Sequence, residues 1–469
     1  MKNLTFFIVW LILLFNYPCL LKGQGTKSLV DLQQEFVELR FGMFIHYNIP
    51  TYMDDDWADP EASPSIFNPL RLDCNQWAMA AKAANMSFGC LTTKHHSGFC
   101  IWDTQTTDYN VMNSPFKRDV VKEFADAFRK QGLKVMLYYS ILDTHHKLRP
   151  GWISPHHIEL VKAQLKELFT GYGEISALII DGWDAPWSRI SYDDIPFAEI
   201  YRLVKSLQPH CLIMDLNAAK YPAEALFYTD IKTYEQGAGQ NIARESNQLP
   251  ALSCYPINTH WFWKENFPTT PVKDPVKLVN DNLNPFNKAW CTFILNVAPN
   301  RDGLLDDNAV AALQEIGKLW KNEGAMPKLP PNDGPIITSN LAKHKPTNSS
   351  WSNDMNIMDF ANDDNFRSAW RSNPSVSTPW IEIDLGVEQP FNTIIISEGV
   401  SRNNRTNIRK YRIEYMENNV WKPLITGDND KKIKIERFNP VWGNKVKVII
   451  EAYETPPAIA EIGVYNEKM

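Results

Sequence analysis

The stretch LTTKHHSGF sets Lys94 and two adjacent histidines, His95 and His96, directly after an apolar run, Ser87–Leu91. Polar groups at the exit of a buried strand are where a barrel enzyme keeps its chemistry. Each histidine could equally satisfy itself on a neighbouring backbone group, but the arrangement recurs along the chain. Phe41–Ile45 ends in His46, Lys134–Leu137 leads into Tyr138, Tyr139 and Ser140, and Ile175–Ile180 ends in Asp181. Further on, Leu212–Met214 reaches Asp215, Ile231 lies just before Glu235, and Cys291–Leu295 runs into Asn296.

Two of these residues are carboxylates in turn-forming surroundings. Asp181 is followed by Gly182, which places it at the C-terminal rim of a barrel beside a sharp turn. Glu235 follows the strand-like Asp230–Tyr234 and precedes Gly237, Ala238 and Gly239. Carboxylates facing each other roughly 5 Å apart suit double displacement at an acetal carbon, one as nucleophile, the other as proton donor and then base. The plainer alternatives are an N-cap of the next helix for Asp181 and a solvated loop position for Glu235.

The elements that must position these groups alternate. Helix-like stretches with apolar residues at three- and four-residue spacing, Trp77–Asn85, Val120–Gln131, His157–Tyr172, Ile195–Leu207 and Asn308–Lys321, separate the apolar runs. Such alternation indicates parallel β/α units with right-handed crossovers. Seven or eight strands over roughly 300 residues fit an α/β fold of the (β/α)8-barrel type better than an open sheet. No GxGxxG or GxxxxGK[ST] follows the first strand, which removes the usual nucleotide-binding reading.

A chain of 469 residues exceeds what one core usually organises. At Asn322–Pro335, NEGAMPKLPPNDGP, the composition turns to that of a linker. Beyond it the helical periodicity gives way to short runs, Trp380–Leu385, Thr393–Ser397, Lys410–Met416, Lys432–Phe438, Lys445–Glu451 and Glu461–Tyr465. That spacing predicts an antiparallel β-sandwich. The expected organisation is an export signal over 1–24, a catalytic (β/α)8-like barrel over 25–325 and a β-sandwich over 336–469.

Lys2 and the apolar Leu4–Leu14 have the form of an export signal, too short for a comfortable membrane span. Residues 16–18, Asn16, Tyr17 and Pro18, match poorly the small residues that precede a lipidated cysteine, so a periplasmic or extracellular location is favoured over anchoring through Cys19. The other six cysteines lie mostly in apolar stretches and read as buried thiols. A net charge of -6 and a pI near 6.0 give no electrostatic reason to expect nucleic acid. The 16 Trp and 17 Tyr suit sugar faces as well as cores.

The stretch from Phe41 to Ser140 resembles the alpha-L-fucosidases of glycoside hydrolase family 29 almost continuously. FGMFIH is similar to the family's first strand, DDDW to its acidic-tryptophan motif, and LTTKHHSGFCIWDT to its KHHDGF segment. DVVKEFADAFRKQGLKVMLYYS is similar to its third β/α unit and LNVAPNRDGLL to its last strand. The likeness is closest to the subfamily selective for alpha-1,3 and alpha-1,4 linked fucose. Asn365–Trp370 followed by WIEIDLG resembles the discoidin-like modules appended to glycosidases.

The resemblance implies an enzyme acting on fucosylated glycans, with Asp181 as nucleophile and Glu235 as acid/base. It implies that His46, His95 and His96 bind the fucose hydroxyls and that Asp56 and Trp57 complete the pocket. Neutral imidazoles donate and accept to vicinal hydroxyls, and a Trp face covers the methyl side of a deoxy sugar. Tyr139 and Trp261 are also expected among the substrate-binding residues. Neither cofactor nor metal is expected, because adjacent histidines on a strand face opposite ways and neither HExxH nor zinc spacing occurs.

The chain departs from the family pattern at five places. The Asp after KHH is Ser97, the aromatic two residues before the nucleophile is Ile179, and GNE at the acid/base reads TYE. A Glu and an Arg expected downstream are Leu252 and Asn258. Another 6-deoxy or galacto-configured substrate, or carbohydrate binding without hydrolysis, are the alternatives to fucose release.

Overall fold

The computed structural model describes residues 27–353, 355–399 and 406–468, so the expected export signal and Cys19 lie outside the described residues. Eight parallel strands form a near-closed barrel: β1 (Phe41–Ile45), β2 (Phe88–Lys94), β3 (Lys134–Ser140), β4 (Ala177–Asp181), β5 (Leu212–Asp215), β6 (Lys232–Glu235), β7 (Ala251–Pro256) and β8 (Cys291–Asn296). The hydrogen-bonded ring runs from β5 through β4, β3, β2, β1, β8 and β7 to β6. The helices predicted from the spacing are Cys74–Ala83, Val120–Lys130, Pro155–Gly171, Phe197–Leu207 and Asp307–Leu319, each within a few residues of its expected bounds. Side chains of Asp73 and Asp119 cap two of them by accepting from backbone amides of the first turn.

Side-chain alternation along the strands sorts the barrel into two layers. Phe44, Cys90, Met136, Tyr138, Ile179, Met214, Leu252 and Ile294 form one interior cluster. Met43, Ile45, Leu91, Leu137, Tyr139, Ile180 and Ile213 point outward into the layer beneath the helices. The helix Leu29–Glu38 supplies Leu32 and Phe36 to the interior cluster and so closes the lower end, Phe36 lying 6.5 Å from Phe88 at the start of β2.

Between β5 and β6 the ring is joined largely by side chains. The buried Asp230 carboxylate accepts from the Ile213 amide at 2.9 Å and from the Tyr201 hydroxyl at 2.8 Å, and pairs with Lys205 at 2.9 Å. Its amide donates to the Ile213 carbonyl at 2.8 Å, and the Thr233 hydroxyl donates to the carbonyl of Asp215.

The strand β7 was not among the apolar runs singled out above. It is almost wholly buried like β1, β4 and β8, but Ser253 and the closing Pro256 break its apolar run, so ALSCYP does not stand out as theirs do.

The C-terminal unit is a seven-stranded antiparallel sheet: β9 (Thr347–Ser349), β10 (Trp370–Arg371), β11 (Trp380–Glu398), β12 (Ile408–Glu417), β13 (Val420–Asp428), β14 (Ile433–Tyr453) and β15 (Ala458–Tyr465). Two pairs of predicted strands are continuous here, as β11 and β14. Register shifts between Asp384 and Gln389 and between Phe391 and Thr393 let each long strand bend, and both halves of β11 feed one core through Ile381, Ile383, Ile394 and Ile396. The unpredicted β13 is half exposed along its length and so lacks an apolar face.

The unit packs on the barrel. Ile395, Ile433 and Tyr465 join the outer core, and the Phe366 ring lies 5.5 Å from Phe227 and 5.9 Å from Tyr221. The linker runs beneath the barrel, where the Arg40 guanidinium donates to the carbonyls of Glu323 and Gly324. The six described cysteines are buried and unpaired, and no helix of the described residues is long and apolar enough to cross a membrane.

The seam between β5 and β6 yields a stability prediction. Asp230→Ala removes one partner of a buried ion pair and strands the Ile213 amide and Tyr201 hydroxyl, so urea unfolding should show a loss of roughly 3 kcal/mol. A loss below about 1 kcal/mol, the range of an exposed pair, would contradict this account of the seam.

Candidate active site

A cavity of about 230 Å³ opens at the C-terminal end of the strands, lined by Phe44, His46, Asp56, Trp57, His95, His96, Asp181, Trp187, Leu216, Glu235, Trp261 and Phe262. Strand periodicity explains the selection. His46 follows Ile45 with the parity of Phe44, Asp181 shares the parity of Ile179, and Glu235 that of Ile231, so each continues an inward-facing row.

The same rule corrects the expectation for Tyr139. It is fully buried on the outer face of β3, where its hydroxyl donates to Gln164 Oε1 at 2.6 Å and accepts from Lys94 Nζ at 2.9 Å. The inward residue is Tyr138, whose hydroxyl donates to Asp181 Oδ2 at 2.7 Å. The strand was expected to end at Leu137, which left the parity of the two tyrosines unassigned. It continues to Ser140.

Asp181 does not cap a helix, since the next one begins only at Phe197. The left-handed Gly182, with φ of +107°, turns the chain immediately after it and donates its own amide to the carboxylate. Asn217 Nδ2 donates to Asp181 Oδ1 at 3.2 Å. Burial pushes the Asp181 carboxyl up to about 6 against the opposing pull of Tyr138, Asn217 and Gly182. Asn217 is steadied from behind by Asp215, whose Oδ1 accepts the Asn217 amide at 3.1 Å. Asp215, an apparent strand-end candidate in sequence, points outward with the parity of Ile213 and meets the Tyr192 hydroxyl.

Glu235 is half-buried at the end of β6 rather than free in a loop. Burial and the nearby Asp181 push its carboxyl up to about 7, with a hydrogen bond from the Trp261 side chain opposing. The two carboxyls thus share one cavity but differ in donors. Asp181 has three, and Glu235 is raised further by its neighbour.

The three histidines are neutral, and two of them are fixed as acceptors. Ser140 Oγ donates to the Leu142 carbonyl at 2.8 Å, so its contact with His96 Nδ1, also 2.8 Å, takes the proton from the ring. Asn296 Nδ2 donates to the Trp261 carbonyl at 2.7 Å, which fixes the amide so that Oδ1 faces His46 Nδ1 at 2.8 Å and accepts from it. In both rings Nε2 is left with its lone pair. Burial lowers His46 to about 4 and His96 to about 3, and lowers His95 well below the ordinary histidine value with help from both neighbours. The His95 and His96 rings lie 3.9 Å apart, and His96 Nε2 is 3.7 Å from Asp181 Oδ2.

On the far wall, Asp56 accepts from the Phe262 amide at 3.1 Å, from Lys264 at 3.2 Å and from His260 at 3.1 Å. Burial alone would raise its carboxyl, but these three donors hold it below the ordinary carboxylate value. The Trp57 ring lies 4.7 Å from His96 and is 47% exposed at the mouth. Trp187, not singled out in the sequence, lies 4.3 Å from His96 and 5.3 Å from Trp57. It sits in an irregular loop where no periodicity marks it. Of the neighbouring aromatic run, Trp261 and Phe262 line the cavity, whereas Trp263 turns away to donate to Asp306 at 2.7 Å.

At the departures from the family pattern, the Ser97 hydroxyl is buried without a hydrogen-bond partner, and the carboxylate beside that turn is Asp143, 3.2 Å from Lys94. Leu252 belongs to the barrel interior, and the carbonyl of Asn258 accepts from Lys273. The adjacent His145 and His146 are engaged locally: His145 stacks on Tyr109 at 4.0 Å and His146 meets Asp143 at 2.9 Å.

Known proteins match this architecture along its length. The alpha-L-fucosidase family model matches residues 24–325, and the F5/8 type C domain model matches residues 342–463. Alpha-L-fucosidase 1 of Arabidopsis thaliana is 26% identical over 91% of this chain and 85% of its own. Human tissue alpha-L-fucosidase is 27% identical over 62% of this chain and 67% of its own. Among solved structures, alpha-L-fucosidase isoenzyme 1 from Paenibacillus thiaminolyticus has a TM-score of 0.55 at 22% identity, covering 94% of this chain and 100% of that one. A Ruminococcus gnavus family 29 fucosidase in complex with fucose has a TM-score of 0.51 at 20% identity, covering 93% and 94%. The chain belongs to the alpha-L-fucosidases of glycoside hydrolase family 29 and carries a C-terminal F5/8 type C domain.

Proposed function

We propose that this fucosidase is a retaining, exo-acting enzyme in which Asp181 is the nucleophile and Glu235 the acid/base. The observation that supports this most is the asymmetry of the two carboxyls in one cavity. Asp181, with three hydrogen-bond donors, ionises first, and its charge keeps the proton on Glu235. In the first step an Asp181 oxygen attacks the anomeric carbon while Glu235 protonates the glycosidic oxygen, releasing the rest of the glycan. In the second step Glu235, now ionised, takes a proton from water, which attacks the fucosyl ester and restores Asp181.

The lone pairs at Nε2 of His46 and His96 accept from sugar hydroxyls, while Asp56, Trp57, His95 and Trp261 complete the binding wall. Phe44, Leu216 and Phe262 supply apolar surface for a C6 methyl. A C6 hydroxyl against such a surface would lose its hydrogen bonds to water, which favours fucose over a galacto-configured sugar. The selectivity is for alpha-1,3 and alpha-1,4 linkages, on the strength of the closer likeness to that subfamily over most of residues 35 to 320 and the short DDDW-type first loop, and the protein acts after export directed by residues 1–24.

Kinetic and product measurements check this reading. The profile of kcat/KM should rise as Asp181 ionises near pH 6 and fall as Glu235 loses its proton near pH 7, the two limbs belonging to the coupled pair. In Tyr138→Phe the ionised Asp181 loses a donor, so the rising limb should move to higher pH by about one pH unit; an unmoved limb would separate Tyr138 from the nucleophile.

NMR of early product should show alpha-fucose before mutarotation, and Asp181→Gly should abolish nearly all activity. Early beta-fucose would contradict the double displacement. In Glu235→Ala, natural oligosaccharides should suffer more than activated aryl fucosides, with azide restoring turnover in place of the activated water. Equal losses with no azide effect would move the acid role elsewhere. Lewis-type trisaccharides should exceed both aryl fucoside and alpha-1,2-linked fucosyllactose in kcat/KM; a preference for the alpha-1,2 linkage would sink the subfamily reading alone.

A further inference from the structure

A cavity that encloses one terminal sugar has to pass everything attached to the scissile oxygen through its mouth. Most of the lining is buried, with Phe44, His46, His95, His96, Asp181 and Phe262 all at 7% exposure or less. Trp57 and Trp187 are the lining residues that stand in solvent, at 47% and 42%. Large apolar rings left in water beside a cavity mark a surface that something else covers.

Trp187 is also held in place. It lies in the loop after β4, which is tied across its base by Trp183, fully buried, whose Nε1 donates to the Ile195 carbonyl at 3.0 Å. The Ser188 hydroxyl donates back to the Gly182 carbonyl, the Asp184 amide donates to Ile190 at 2.6 Å, and Asp184 pairs with Lys220. The Trp187 ring itself rests on His96 and meets Trp57 edge to face, 77° between planes. Its inner side is therefore occupied and its outer side is free, on a loop that loses little freedom when a ligand arrives.

We infer that Trp187, with Trp57, forms a leaving-group subsite that takes the C–H face of the pyranose linked to fucose. Flat rings stack on the apolar face of a sugar without needing matched hydrogen bonds. The subsite therefore recognises the shape of the leaving sugar rather than its particular hydroxyls. Neither Leu252, in the barrel interior, nor Asn258 is among the residues that line the cavity. Contact with the leaving sugar that tightens as the bond breaks lowers the barrier for glycans and does nothing for a leaving group too small to reach the ring.

The inference rests on the fucosidase reading, and the test separates the two. Wild type, Trp187→Ala and Trp187→Leu are compared in kcat/KM on a Lewis-type trisaccharide and on alpha-L-fucosyl fluoride, whose leaving group cannot span the mouth. Leucine keeps apolar contact with His96 but has no flat face. Loss of stacking should lower the trisaccharide-to-fluoride ratio by about tenfold in both variants, and Trp187→Phe should recover part of it. A ratio within about twofold of wild type in both variants, whatever the absolute rates, would overturn the inference and leave the ring as a support for His96. Wild type inert toward both substrates would defeat the fucosidase reading and this subsite with it.

Discussion

Two carboxyls inside one small cavity cannot both give up their protons cheaply, and the architecture around them is arranged to decide which does. Desolvation raises Asp181 and Glu235 alike. The balance is set by where the donors come from: Tyr138 from β3, Asn217 from the loop after β5 and the Gly182 amide from the turn after β4 all point at Asp181. The barrel makes this convergence possible, because adjacent parallel strands end side by side and their inward rows lead to one spot. Asp215, outside the ring, extends the arrangement by fixing the backbone of Asn217.

The histidines obey the same desolvation in the opposite sense. Burial strips their charge, and the hydrogen bonds from Nδ1 to Ser140 and Asn296 determine which nitrogen keeps its proton. A charged imidazolium beside Asp181 would compete with Tyr138 and Asn217 for its carboxylate. Neutral rings avoid that competition and still provide two fixed acceptors, which suits a ligand whose recognisable groups are hydroxyls. The wall opposite uses a different device, a carboxylate at Asp56 kept ionised by Lys264, His260 and a backbone amide.

Much of this was legible in the sequence wherever a strand long enough to show its parity ran into a polar residue. His46, Asp181 and the barrel strands that lead to them follow from apolar runs with abrupt ends, and the helices from their three- and four-residue spacing. The legibility failed where parity was hidden. Tyr138 and Tyr139 are equivalent by type, and only the full length of β3 shows that the first of them faces Asp181. Strand β7 escaped because Ser253 and Pro256 break its apolar run, and β13 because a half-exposed strand has no apolar face. Trp187 was invisible for another reason: its position depends on a loop braced by Ser188, Asp184 and Trp183, interactions with no local periodic signature.

The junction of β5 and β6 is held differently from the rest of the barrel. Elsewhere neighbouring staves are laced by regular backbone hydrogen bonds, but here much of the lacing is Asp230, Thr233 and their partners. Glu235 sits at the end of one stave of that joint while Asp181 sits on β4, one stave beyond the other side. Glu235 and Asp181 therefore stand on opposite sides of the seam in the described barrel that lacks a regular strand ladder. The distance between the two carboxyls is thus set by a handful of side-chain ties, whereas the histidine wall is mounted on the ladder between β1 and β2.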